Sequence, residues 1–194
     1  MSPHLDIGSY IGLALIAVLS TYGVLLYNNL VALKHAVARA WSNIDVLLKQ
    51  RHDELPKLVE ACKQYMRYEQ ETLERVMQAR SAVSAARTKT DVAALGAAET
   101  QLRTGLFQLF AVAEAYPELK ANENFQHLQA RITGLENDIA DRRELYNESV
   151  NLNNVRVEQF PDLVVAHLFG FRSLPLLEFS AGEKADPNLR ALFT

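Results

Sequence analysis

The chain has 194 residues, a net charge of −3 and a pI near 6.0. That leaves room for one ordinary domain and an appendage, and bulk electrostatics gives no reason to expect nucleic acid as a partner. A single cysteine, Cys62, cannot staple its own chain, so the fold does not rest on disulfides, in keeping with a reducing compartment. The chain is rich in Ala, Leu, Glu, Arg and Gln, and Gly and Pro are sparse after the first segment, which is the palette of an all-α protein.

No charged residue occurs from Ile7 to Leu33, and the centre of that stretch reads SYIGLALIAVLSTYGVLLY. About 20 apolar residues cross about 30 Å of hydrocarbon, and Ser9 to Asn28 meets that need. Tyr10 and Tyr27 stand where interfacial aromatics anchor a span. A buried core helix seldom runs so long without a charge. A cleaved signal peptide would begin basic and end at a small-x-small site, whereas here Asp6 precedes the stretch and Tyr27, Asn28 and Asn29 close it. No Lys or Arg comes before the stretch, while Lys34, Arg39, Lys49 and Arg51 follow it. The positive-inside rule therefore places the N-terminus outside and the rest in the cytoplasm. The expected layout is a short extracytoplasmic N-terminus over 1–8, a transmembrane helix over 9–28, a cytoplasmic helical bundle over 29–169 and an extended tail over 170–194.

With no Gly or Pro between Val24 and Leu55, the spanning helix is expected to continue unbroken into the cytoplasm. Apolar residues then recur in steps of three and four: Val37, Trp41, Ile44, Leu48, Leu55, Val59, Cys62, Met66, Leu73, Val76. The pattern predicts one long helix to about Arg87, kinked at Pro56, where a hydrogen bond is lost and the preceding turn is crowded. Thr88 to Asp91 offers a turn and an N-cap for a second helix through Leu95, Leu102, Leu106, Leu109 and Ala113. Pro117 ends that run, and Asn122 can cap a third helix along Phe125, Leu128, Ile132, Leu135, Ile139, Tyr146, Val150 and Val157. Pro161 breaks the third helix, and a short fourth runs to about Phe169. The tail beyond Gly170 loses periodicity but carries isolated anchors: Phe171, Leu176, Leu177, Phe179 and Phe193.

A first cytoplasmic helix of about 60 residues would span about 90 Å against about 36 Å for the second. Such a bundle leaves the stripe Val37, Trp41, Ile44 and Leu48 in need of cover. Either the tail folds back over it or the same helix of another subunit packs there, which makes this stripe the expected surface of self-association.

The stretch from Tyr27 to Arg80 (YNNLVALKHAVARAWSNIDVLLKQRHDELPKLVEACKQYMRYEQETLERVMQAR), then AEAYPELKANENFQHLQ, then ENDIADRRELYNESVNLNNVRVEQFP and LFGF, resembles the bacterial LemA family. The similarity covers nearly everything from Tyr27 to Phe171. Matched positions include Trp41, Arg51, Pro56, Glu69, Arg80, Glu136, Arg143, Asn147 and Asn154; Lys57 and Asn153 depart from the family pattern. The resemblance implies an N-terminal membrane anchor, a helical bundle, and a molecular function poorly defined across the family; the expected location is the bacterial cytoplasmic (inner) membrane.

Catalytic chemistry is not legible in the sequence. His4, His35, His52, His127 and His167 show no i, i+4 pairing, and no Glu-x-x-His pair marks a di-metal bundle. There is no glycine-rich phosphate loop and no G-x-S-x-G elbow. No catalytic, cofactor or metal residue is assigned. Glu69 and Arg143 fall in or beside apolar stripes and read as a structural polar layer, an ion pair that fixes helix register. The expected function is a membrane-anchored, non-enzymatic scaffold or interaction protein that works through helix packing and self-association. The alternative is an adaptor in membrane stress or signalling that recruits one protein partner. An enzyme is the weakest of the three readings.

Overall fold

A computed structural model of the chain describes residues 7–89 and 91–178. The described residues form six helices and no strand: α1 (Ile7–Lys63), α2 (Gln70–Lys89), α3 (Val92–Ala113), α4 (Pro117–Lys120), α5 (Glu123–Glu158) and α6 (Asp162–Phe169). The all-α expectation holds. The tail anchors Phe179 and Phe193, and residues 1–6, lie outside the described residues.

Local chemistry explains most of the helix ends. Asp91 accepts a hydrogen bond from the Ala94 amide at 3.0 Å and starts α3; Asn122 takes the Phe125 amide at 3.1 Å and starts α5. Pro117 supplies the first residue of α4, a short helix in the corner between the second and third helices expected from the sequence. Gly170, at φ 73, closes α6 in the left-handed conformation, and the amide of Phe171 returns to the Ala166 carbonyl at 2.9 Å.

The long first cytoplasmic helix is a correction. α1 runs through Pro56 and ends at Lys63, and α2 begins only at Gln70. Between them the Tyr65 and Met66 amides both bond the Cys62 carbonyl, and the Met66 side chain is fully buried. The chain reverses there. Asp45 pairs with Arg87 at 3.2 Å, and the His52 carbonyl with Arg80 at 2.9 Å, so α2 returns alongside α1.

Two compact units share these helices. One comprises residues 41–147 with the tail from Pro175. In it the 41–63 part of α1, α2, α3 and the 123–147 part of α5 run up, down, up and down. Glu54–Arg131 at 3.1 Å and Tyr65–Asn122 at 3.2 Å tie α1 to α5; Arg75–Gln108 at 3.3 Å ties α2 to α3. Ile44, Leu48, Leu55, Leu58, Val76, Leu95, Leu102, Leu109, Phe125 and Ile132 fill its core. Each such side chain contributes about 1.5–3 kcal/mol relative to exposure.

The other unit comprises residues 7–40 and 148–174. From Ile7 to Leu25 every side chain of α1 stands exposed, and this helix is long and apolar enough to cross a membrane. Burial begins at Leu26 and Leu30. Leu30, Val157 and Ala166 form the centre of this unit's core, with Val165 and Phe171 against them.

Candidate functional site

α1, α3 and α5 meet around Arg51, whose side chain is fully buried. Its Nη2 donates to Glu99 Oε1 at 2.5 Å and its Nη1 to Glu136 Oε1 at 2.6 Å. Arg103 Nε stands 3.6 Å from Glu136 Oε2, so two cations face two carboxylates. Burial opposes the charge on Arg51, but Glu99 and Glu136 more than offset it and its pKa lies above the ordinary value. Burial pushes the Glu99 carboxyl upward against the pull of Arg51. Arg51 Nε and Glu99 Oε2 have no hydrogen-bond partner. Arg51 and Glu99 are closed off from solvent, while Glu136 and Arg103 lie towards the edge, and the cluster holds three helices in one register. Glu99 was not singled out in the sequence, although it interrupts the stripe Leu95, Leu102, Leu106, and that gap is the signal that finds it.

Next to this cluster Pro56 has no amide to offer the carbonyl of His52, four residues back in α1. Arg80 of α2 fills the vacancy, with Nε donating to that carbonyl at 2.9 Å and Nη2 lying 2.7 Å from His52 Nε2. A guanidinium cannot accept a hydrogen bond, so His52 Nε2 must be the acceptor and the ring neutral. Burial and the Arg80 charge hold the imidazole below its ordinary pKa, with Arg87 and Arg51 adding to that and Asp53 opposing it. Below pH about 6.5 the unfolded chain then binds a proton that the folded chain refuses, so stability falls as pH drops through that value. Urea midpoints at pH 7.5 and pH 5.5 in mild detergent are expected to show a larger drop for the native chain than for His52→Gln. Equal drops would mean that His52 does not set this dependence.

The tail is held through its backbone. Asn147 of α5 accepts the Leu177 amide at 2.8 Å and donates to the Leu177 carbonyl at 3.1 Å, while the Tyr146 hydroxyl donates to the Pro175 carbonyl at 3.2 Å. The Leu177 side chain is fully buried. On α3, Gly96 lies so close to the tail that a Cβ there would stand 2.1 Å from the Glu178 carbonyl oxygen. In the other unit Asn154 treats Leu174 likewise, accepting its amide at 2.8 Å and donating to its carbonyl at 2.9 Å. Asn147→Ala strands both polar groups of a buried residue and is expected to cost about 1–3 kcal/mol. Fast hydrogen exchange at the Leu177 amide is the direct readout; unchanged protection would show that the clamp does not hold the tail.

The expected self-association stripe is covered within the single chain. Ile44 and Leu48 are buried in the four-helix unit, and Trp41 is half-buried with its ring 5.5 Å from Tyr146. Val37 is buried in the other unit. These side chains are therefore not an open subunit surface; the expectation rested on an unbroken helix outrunning its neighbours, and the reversal after Lys63 removes that excess. The Glu69–Arg143 layer is corrected too. Glu69 lies in the turn before α2, where its carbonyl accepts the Leu73 amide, and its side chain hydrogen-bonds Tyr116. Arg143 lies roughly 30 Å further along α5 from the Asn122 end that Tyr65 touches. The buried layer is Arg51, Glu99 and Glu136 instead. No group of His, Cys, Asp and Glu among the described residues could hold a metal ion. Cys62 is buried and its thiol is pushed up to about 12, the state of an inert core residue.

The sequence model of the LemA family matches residues 40–190. Two magnetosome proteins of Paramagnetospirillum magneticum, MamQ 1 and MamQ 2, are each 30% identical over 79 residues, 41% of this chain and 29% of theirs. Magnetosome protein MamQ of Magnetospirillum gryphiswaldense is 29% identical over a stretch of the same length, with the same coverage. The match thus spans less than a third of those relatives' length.

Proposed function

This chain belongs to the LemA family, and from that premise we propose that it is a membrane-anchored, non-enzymatic scaffold or interaction protein. The N-terminal part of α1 is the anchor in the bacterial inner membrane, and the four-helix unit lies on the cytoplasmic side, the side its Lys and Arg favour. The unit binds extended polypeptide on its surface. One observation carries this reading: the segment from Pro175 to Glu178 is gripped by its own peptide groups, through Asn147, Tyr146 and the bare backbone at Gly96. A site that reads peptide groups accepts an equivalent segment from elsewhere. A neighbouring copy's tail in this seat makes self-association; a partner's segment makes the protein an adaptor.

The test uses the full chain carrying Leu177→Asp, which empties the seat while leaving Asn147 in place. A fluorescent peptide of residues 172–180 is expected to bind it saturably in mild detergent. Binding is expected to vanish when Asn147→Ala is added. Absence of saturable binding to the first variant would overturn the reading. Resistance of the vesicle-bound chain to alkaline extraction tests the anchor separately.

A further inference from the structure

We propose that α6 is an interfacial membrane helix, its outer face buried at the headgroup–acyl boundary of the bilayer that α1 crosses. The proposal rests on the anchor reading above and adds a second membrane contact to it.

α6 has two unlike faces. Asp162, Val165 and Ala166 turn inward, where Ala166 meets Leu30 and Val157, and Asp162 is paired with Arg156 at 3.3 Å. The opposite face carries Leu163, Val164, His167 and Leu168, and Phe160 precedes it. Phe160 is 77% exposed, Leu168 75% and Val164 60%. A solvated helix would place charge on such a face, yet none of the four side chains there is Asp, Glu, Lys or Arg.

Position decides what covers it. The Phe169 and Phe171 rings lie 4.8 and 5.8 Å from the ring of Tyr27. Tyr27 stands where the exposed apolar surface of α1 ends and burial begins, the level at which an aromatic anchor meets the interface. The outer face of α6 therefore continues the apolar surface of the span itself. Lys34 and Arg172 stand exposed in the same unit, placed for anionic headgroups. Continuity with the span favours lipid over a second protein chain as the occupant.

The test is depth-dependent quenching in the full chain, reconstituted in vesicles of phosphatidylcholine and phosphatidylglycerol. An environment-sensitive dye is attached in turn to Leu168→Cys, Val18→Cys and Gln101→Cys, Cys62 being buried. At position 168 quenching by a shallow lipid-borne nitroxide is expected to exceed that by a deep one several-fold. Position 18 should show the reverse, and position 101 neither. Val164→Asp, on the exposed face, should abolish quenching at 168 without loss of helical content. Position 168 unquenched while 18 is quenched overturns the α6 proposal and leaves the anchor standing. A dye at 168 shielded from aqueous iodide but untouched by lipid nitroxides means that protein covers this face, and overturns it equally. No quenching at 18 overturns the anchor reading, and the α6 proposal with it.

Discussion

Replacing Arg51 by methionine is expected to destabilise the four-helix unit by about 3–5 kcal/mol, the usual consequence of removing one partner from a buried charge pair. The loss is not mainly that of the attraction. Glu99 would remain fully buried without the cation that lies 2.5 Å away, and Glu136 would keep only Arg103. Adding Glu99→Leu removes the stranded carboxylate and should recover much of the stability. Acid should also relieve the single variant, because Glu99, already pushed upward by burial, can take a proton and shed its charge. The cost at pH 5 should therefore be smaller than at pH 8. Denaturation in mild detergent, followed by the fluorescence of Trp41 against Tyr146, measures both. A cost under about 1 kcal/mol, or none of it regained in the double variant, would mean the cluster is not coupled as described.

Gly96→Ala is expected to release the tail. The same change inside an exposed helix normally gains about 0.5–1 kcal/mol. Here the new Cβ would fall 2.1 Å from the Glu178 carbonyl oxygen, and a backbone atom cannot yield as a flexible side-chain tip does. The tail must move away, which breaks the clamp of Asn147 on Leu177 and bares a buried leucine. Overpacking of this kind costs about 1–3 kcal/mol. Gly105→Ala is the control, because its Cβ would meet Val76 at ordinary contact distances, 3.4 Å from Cγ2 and 3.9 Å from the backbone Cα and N. Hydrogen exchange at Leu177 and limited proteolysis of the tail should rise in the first variant alone. Equal behaviour of the two would show that the tail does not rest on α3.

The helix ends that carry a breaker were legible in the sequence. Asp91, Asn122, Pro161 and Gly170 bound α3, α5 and α6 where expected, because a capping side chain, a missing amide or a positive φ acts within a few residues. The reversal after Lys63 carried no such mark. Residues 64–69 contain neither Gly nor Pro, and the apolar steps Cys62, Met66 and Leu73 continue through it in helical phase. The reversal turns on the Cys62 carbonyl with Met66 buried beside it, and packing between helices leaves no mark that periodicity along one chain can register. That single miss produced the misreading of the stripe at Trp41 and Ile44. Arg51 and Glu136 stood among the positions that match the family, but which carboxylate lay opposite Arg51 depended on α3 packing across from α1. The seat of the tail was hidden for a different reason. An asparagine in a polar helix looks solvated until an unpaired backbone arrives beside it.

Pro56 and Arg80 leave a signature that can be sought in other chains. The carbonyl of His52 is orphaned only because residue 56 has no amide, and the arginine that serves it comes from one level of α2 alone. Neither residue has the same reason to persist without the other. Among relatives, replacement of the proline should restore the helix's own donor and free position 80 to drift; retention of the proline should hold an arginine there. The two columns are thus expected to change together across the family, a correlation between positions on separate helices that marks how the hairpin is aligned. A chain with proline at 56 and a short aliphatic residue at 80 would need another donor for that carbonyl.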